Sequence, residues 1–85
     1  MLELVFVDRG WDDYQYWIVN DRPTLKRINA LITDARRSPT DGIGKPEPLR
    51  YRDLAAWSRR ITQEHRLVYS FDERQLVVWQ CRYHY

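Results

Sequence analysis

The chain has one cysteine, two histidines, two lysines and three glycines among its 85 residues. Each scarcity excludes something. The lone Cys81 cannot form an internal disulfide, and a secreted scaffold of this size normally needs such staples. His65 and His84 stand 19 residues apart, with no CxxC or HxxxH spacing. No metal site and no cofactor are therefore expected. Gly42 and Gly44 lack the frame of a phosphate-cradling glycine loop. No apolar run exceeds four residues, and no signal-type stretch follows Met1. The chain reads as cytoplasmic, with no membrane partner. Its length excludes a nucleotide-binding α/β domain and a TIM barrel, leaving one domain over 1–85.

What is present is a globular composition, 44% hydrophobic and 31% charged. The net charge of +2 hides an asymmetry. Up to Asp21 there are five acids and one Arg (−4); from Arg22 onward, 13 basic residues and seven acids (+6). Twelve of the 14 basic residues are Arg, whose planar fork suits phosphate as Lys does not. The C-terminal two thirds fit a phosphate-rich partner.

Leu2–Val7 is short, apolar and β-branched, which predicts a strand. Trp11, Tyr14, Trp17 and Ile18 follow helical spacing, so 9–20 form a helix with both tryptophans in its core. Asn20–Pro23 breaks it. Pro23 suits the first turn of a second helix reaching Arg37 through Leu25, Ile28, Leu31, Ile32 and Ala35. Ser38–Pro48 holds three prolines and two glycines without periodicity, an ordered loop carrying Glu47. Strands are expected at about 57–62, 65–71 and 76–83, with a further short one at 49–52. The fold class is α+β: two N-terminal helices packed on one face of a mainly antiparallel twisted sheet. No third layer covers the other face, which is where a site belongs.

The available groups suit RNA cleavage. The 2′-OH is its own nucleophile. A carboxylate can take its proton, an imidazole can protonate the leaving 5′-oxygen, and guanidinium can hold the charged phosphorane. Glu47, Arg59, Arg60, Arg66 and His84 are the candidates. His65, at a strand start, reads as structural. The hairpin register decides whether Arg66 and His84 meet. A three-residue turn at 73–75 sets Arg66 opposite Arg82, with His84 diagonal on the same face. A four-residue turn at 72–75 separates them, unless a bulge intervenes.

Gly44-Lys45-Pro46-Glu47-Pro48-Leu49, Trp57–Thr62, Glu64–Tyr69 and the terminal Cys81-Arg82-Tyr83-His84-Tyr85 resemble the YoeB/Txe family of the RelE-like superfamily of bacterial toxins. Trp11–Tyr14, Ile28-Asn29 and Arg36-Arg37 also match. The resemblance implies a RelE-like, microbial-RNase-like fold. It implies a ribosome-dependent, metal-independent endoribonuclease that cuts mRNA in the A site of the 70S ribosome by 2′-OH transesterification. It implies control by a cognate antitoxin, typically with a disordered acidic C-terminal arm, whose complex sits on operator DNA; the toxin is often a homodimer. The family's catalytic glutamate falls on Glu47, its transition-state arginine on Arg66 and its near-terminal histidine on His84. Arg60 takes the further phosphate contact and Tyr85 the C-terminal tyrosine. Arg50 stands where lysine is common, and Arg59 and Lys45 join the substrate-binding set. The competing reading is a non-catalytic RNA- or DNA-binding co-repressor. Glu47 speaks against it, because a carboxylate repels phosphate.

Overall fold

Asp21 both ends one helix and begins the next. Its backbone N–H donates to the Trp17 carbonyl at 3.0 Å, and its carboxylate accepts the Thr24 N–H at 3.1 Å. The flanking elements are α1 (Asp8–Asn20) and α2 (Arg22–Arg37), with Pro23 in the first turn of α2. A strand β1 (Glu3–Phe6) precedes them. Four more follow: β2 (Glu47–Tyr51), β3 (Leu54–Arg60), β4 (Arg66–Phe71) and β5 (Gln75–Gln80). The computed structural model describes residues 1–84. Among them, no helix is long and apolar enough to cross a membrane.

The five strands form one mixed sheet in the order β1-β5-β4-β3-β2. Three pairings are antiparallel, and β1 runs parallel to β5. The chain leaves β1, lays both helices over one face, re-enters at the far edge and meanders back. Trp17, Ile28, Leu31, Ile32 and Ala35 meet Leu67, Tyr69, Leu76, Val78 and Cys81 beneath the helices. Burial pushes the Cys81 thiol up to about 12, so it is inert packing material. The helix-free face carries a smaller cluster of Tyr51, Ala56 and Val68, flanked by Leu49 and Trp79.

The sequence reading places Glu47, Trp11 and two strand bounds differently: β3 runs 54–60 rather than 57–62, and β5 ends at 80 rather than 83. Glu47 lies in a strand rather than the loop. The edge position explains how β2 tolerates Pro48, whose missing N–H would be costly in a central strand. The β2–β3 turn uses Arg52 and Asp53, both at positive φ, without the usual Gly or Asn. Trp11 is not core: it is 48% exposed and stacks on Tyr14 and against Phe6 at the surface.

Helix α1 seats directly on β5 at Gly10. A Cβ there would enter the Val78 carbonyl oxygen and stand 3.1 Å from its carbon. Gly10→Ala gains about 1 kcal/mol of helix propensity. Overpacking costs about 1–3 kcal/mol, and against backbone, which cannot rotate away as a side chain can, the upper half of that range, about 2–3 kcal/mol, applies. The clash prevails, so a net loss of about 1–2 kcal/mol is expected in urea denaturation. An unchanged midpoint would show that α1 shifts freely on the sheet.

Candidate nucleic-acid interface

Strand pairing sets the site. Glu47 stands opposite Ser58, Ser58 opposite Val68, and Val68 opposite Gln80. Directly opposite residues share a face, and Val68 packs in the helix-free cluster. This row therefore crosses the uncovered face from the β2 edge to β5. Two positions along, Arg60 and Arg66 stand directly opposite each other on the same face. Glu47 and Arg60 are diagonal neighbours, a separation of about 7–8 Å in a sheet.

The Arg60–Arg66 pair is costly in itself, because like charges directly opposite repel. Among the described residues the ion pairs are Arg9–Asp13 and Arg59–Asp34, so no described carboxylate neutralises either guanidinium. The Arg60 backbone is fixed from both sides, its N–H on the Gly44 carbonyl at 2.7 Å and its carbonyl on Arg27. Its side chain stays exposed. Arg66 is half-buried. Its Nη1 donates to the carbonyls of Thr62 (2.7 Å), Gln63 (3.2 Å) and His65 (3.1 Å). That anchor leaves the Nε/Nη2 edge bonded to no described residue, an edge shaped for two phosphate oxygens.

The β4–β5 hairpin has the four-residue turn, and a bulge rescues the site. Tyr69 pairs with Val78 but Val68 pairs with Gln80, so Trp79 is the extra residue. The Trp79 Nε1–H donates to Ser70 Oγ at 2.8 Å and pins the bulge. The ladder ends at the Val68–Gln80 pair, and past it the Arg66 N–H reaches the Tyr83 carbonyl at 3.1 Å. The Gln80 amide accepts the Tyr51 hydroxyl at 2.8 Å and donates to the His84 carbonyl at 3.1 Å. The Arg82 guanidinium carbon lies 3.4 Å from the Tyr16 ring centre and 4.5 Å from that of Tyr83. Held this way, His84 sets Nε2 3.3 Å from the Gln63 carbonyl, the oxygen that also receives Arg66. A carbonyl only accepts, so this is a hydrogen bond when Nε2 carries the proton.

The fold thus brings Glu47, Arg60, Arg66 and His84 to one face and its rim. Arg59 is not with them. It is completely buried on the helix side, with all five N–H donors used. Nε donates to the Tyr69 hydroxyl, Nη1 to Asp34 and Ile43 O, and Nη2 to Ser38 O and Asp41 O. No donor remains for phosphate, so Arg59 leaves the substrate-binding set. It fastens the 38–46 loop instead. Arg50 stands on the other side of β2 from Glu47, opposite Ala55. Lys45 is exposed beside the Gly44–Arg60 bond. Tyr85 lies outside the described residues. Gln80, Tyr51, His65 and Arg82 gave no sequence signal as tail supports; the bulge that recruits Gln80 is set by tertiary pairing.

Among the described residues no cluster of His, Cys, Asp or Glu could hold a metal ion, and no pocket is enclosed. Among the described residues the face is an open, basic platform with the Glu47 carboxylate and the His84 imidazole at its margins.

Residues 6–85 match the family model of the YoeB-like toxin of bacterial type II toxin–antitoxin systems. Toxin YoeB of Escherichia coli K12 is 50% identical over 84 residues, covering 99% of this chain and 100% of that protein. Among solved structures, the YoeB/ParE toxin from Agrobacterium tumefaciens is 48% identical with a TM-score of 0.91, covering 99% of this chain and 100% of that one. YoeB from Staphylococcus aureus, in a heterotetrameric YoeB–YefM toxin–antitoxin complex, is 40% identical with a TM-score of 0.88, covering 100% and 99%. A family model matched over residues 6–85, together with a relative sharing half its residues over its full length, places this chain in the family of YoeB-like toxins of bacterial type II toxin–antitoxin systems.

Proposed function

We propose that this toxin is a ribosome-dependent endoribonuclease that cuts mRNA in the A site and so stops translation. The observation that carries the reading is the facing pair Arg60 and Arg66, unneutralised among the described residues. Two adjacent guanidiniums are worth their repulsion where a phosphate lies between them. Glu47 serves as base to the 2′-OH, His84 as acid to the 5′-oxygen, and Arg66 with Arg60 holds the phosphorane. Products are a 2′,3′-cyclic phosphate or its opened 3′-phosphate, and a 5′-OH. Lys45 and Tyr85 extend the substrate contacts, while Arg50, on the other side of β2 from Glu47, drops out of this set. A cognate antitoxin with an acidic arm covers this face, and the complex reaches operator DNA through the antitoxin; the toxin pairs as a homodimer. A non-catalytic co-repressor would gain nothing from Glu47 on the basic face.

An open sheet cannot by itself bend RNA so that the 2′-oxygen, phosphorus and 5′-oxygen align. The ribosome supplies that geometry. One mRNA is incubated with the purified toxin, with and without 70S particles. Rapid cutting only on the ribosome is expected, at a rate higher by 10²-fold or more, because alignment of this kind is worth that much. Equal rates would remove the ribosome from the mechanism. A scissile nucleotide lacking its 2′-OH should not be cut; cleavage there would replace transesterification by hydrolysis.

A further inference from the structure

His65 lies outside the proposed chemistry, yet it makes the shortest bond to the tail that carries His84. Its Nδ1 accepts the Tyr83 N–H at 2.7 Å. Its ring meets Trp17 edge-on, centroids 4.9 Å apart, and tilts against Tyr83 at 5.8 Å. Trp17 in turn donates Nε1–H to the Cys81 carbonyl at 2.8 Å. These contacts converge on a strained point. Tyr83 has φ +68°, left-handed backbone that a residue other than glycine adopts only when it is held there. Among the described residues no strand pairing reaches it beyond Gln80. Its carbonyl is tied by the Arg66 N–H and its N–H by His65, neighbours in the chain. His65, just before β4, and Arg66, its first residue, thus grip both backbone polar groups of Tyr83. The next residue is His84.

We propose that His65 is the positioning residue for His84. By accepting the Tyr83 N–H at an unprotonated Nδ1, it fixes the left-handed turn and sets the His84 imidazole beside Arg66. Only a ring with Nδ1 bare can do this, so its ring proton sits on Nε2. Trp17 packing holds the ring in that orientation. The inference rests on the reading of His84 as proton donor to the leaving oxygen, and its test separates the two.

The first measurement needs no substitution. A nitrogen–nitrogen coupling across the hydrogen bond between the Tyr83 amide and His65 Nδ1 should be visible by NMR. Its absence overturns the proposal. The second compares His65→Phe, which keeps a ring against Trp17 but has no acceptor, with His65→Asn, whose Oδ1 can replace Nδ1. In His65→Phe the Tyr83 amide should exchange at least about fivefold faster, the value of one net hydrogen bond. Single-turnover cleavage on programmed ribosomes should slow about tenfold or more, since small misplacement is costly. His65→Asn should stay within about threefold of the parent on both readouts. The 5′-thio leaving group should repair the loss in His65→Phe, as it should in His84→Gln, because sulfur departs without an acid. Loss in His65→Phe that neither the thio substrate nor the Asn variant repairs means His65 acts on the fold at large, and the positioning role fails. If His84→Gln cleaves at the parental rate, the acid reading fails. The Tyr83 exchange rate then still decides whether His65 holds the tail, and an unchanged rate overturns the proposal whatever the activity.

Discussion

Arg59→Met is expected to cost the fold about 3 kcal/mol, the low end of the 3–5 kcal/mol typical when one partner of a buried ion pair is removed. Five acceptors lose their donor at once: Asp34, the Tyr69 hydroxyl and the carbonyls of Ser38, Asp41 and Ile43. A leucine-sized core loss alone would run to about 2–5 kcal/mol, but Met refills most of the volume. The damage is polar. Asp34 remains 23% exposed and can recover water, which sets the estimate low. The three carbonyls can recover water only by lifting the 38–46 loop off the sheet. That loop delivers Gly44 to Arg60 and leads into Glu47, so the site should loosen with it. Against a total stability of about 5–15 kcal/mol, the loss should appear as a large fall in urea midpoint. Wild-type stability would free Arg59 from its structural role.

The same pair has a pH signature. The Ile43 N–H, and then Arg59, hold the Asp34 carboxyl below the usual carboxylate range in the folded chain. Asp34 therefore binds its proton less readily folded than unfolded. Its contribution is complete above the unfolded carboxylate value of about 4 and is lost as pH falls through the lower folded value. Arg59→Met should flatten this acid limb, because it removes the guanidinium and loosens the loop that carries the Ile43 N–H.

Arg59 and Arg60 show how far the sequence could speak. Adjacent strand residues face opposite ways, so one of the two had to point toward the helices. Counting back to Trp57, which packs against the core, puts Arg59 on that side. The signal was available in parity, yet the five acceptors awaiting it come from α2, β4 and a loop, and no spacing rule joins them. Helix α2 was legible because Asp21 and Pro23 are local start signals. β2 was not, because prolines mask a strand unless its edge position is known. The 38–48 stretch reads as one ordered loop, whereas 47–48 open β2, and the loop that remains is fastened by a buried arginine rather than by its own prolines. The most consequential illegible feature is the Trp79 bulge. Turn length alone would have sent Arg66 and His84 apart, and the bulge is fixed by a bond from Trp79 to Ser70 across the hairpin.

Removing any one of the three proposed catalytic groups should slow single-turnover cleavage by about 10²–10⁴, and the pattern of rescue should tell them apart. Glu47→Gln keeps the shape of the first β2 residue and its place opposite Ser58, but it cannot accept the 2′-proton. His84→Gln keeps a donor for the Gln63 carbonyl, 3.3 Å away in the parent, but it is a poor proton source. Arg66→Ala frees the Thr62, Gln63 and His65 carbonyls to solvent at the exposed turn, so its structural cost stays below that of Arg59→Met. Relief of the Arg60–Arg66 repulsion offsets part of that cost, so Arg66→Ala should lose activity far more than stability. An oxyanion-type contact of this kind is worth about 10²–10³. On mRNA with a 5′-thio leaving group, His84→Gln should recover most of its rate. Glu47→Gln should not, because the 2′-proton must still be taken. Arg66→Ala should not either, because the phosphorane is charged whichever atom leaves. Persistent impairment of His84→Gln on the thio substrate would strip His84 of the acid role. Rescue of Glu47→Gln by sulfur would exchange the two assignments, with the carboxyl group as acid and the imidazole as base.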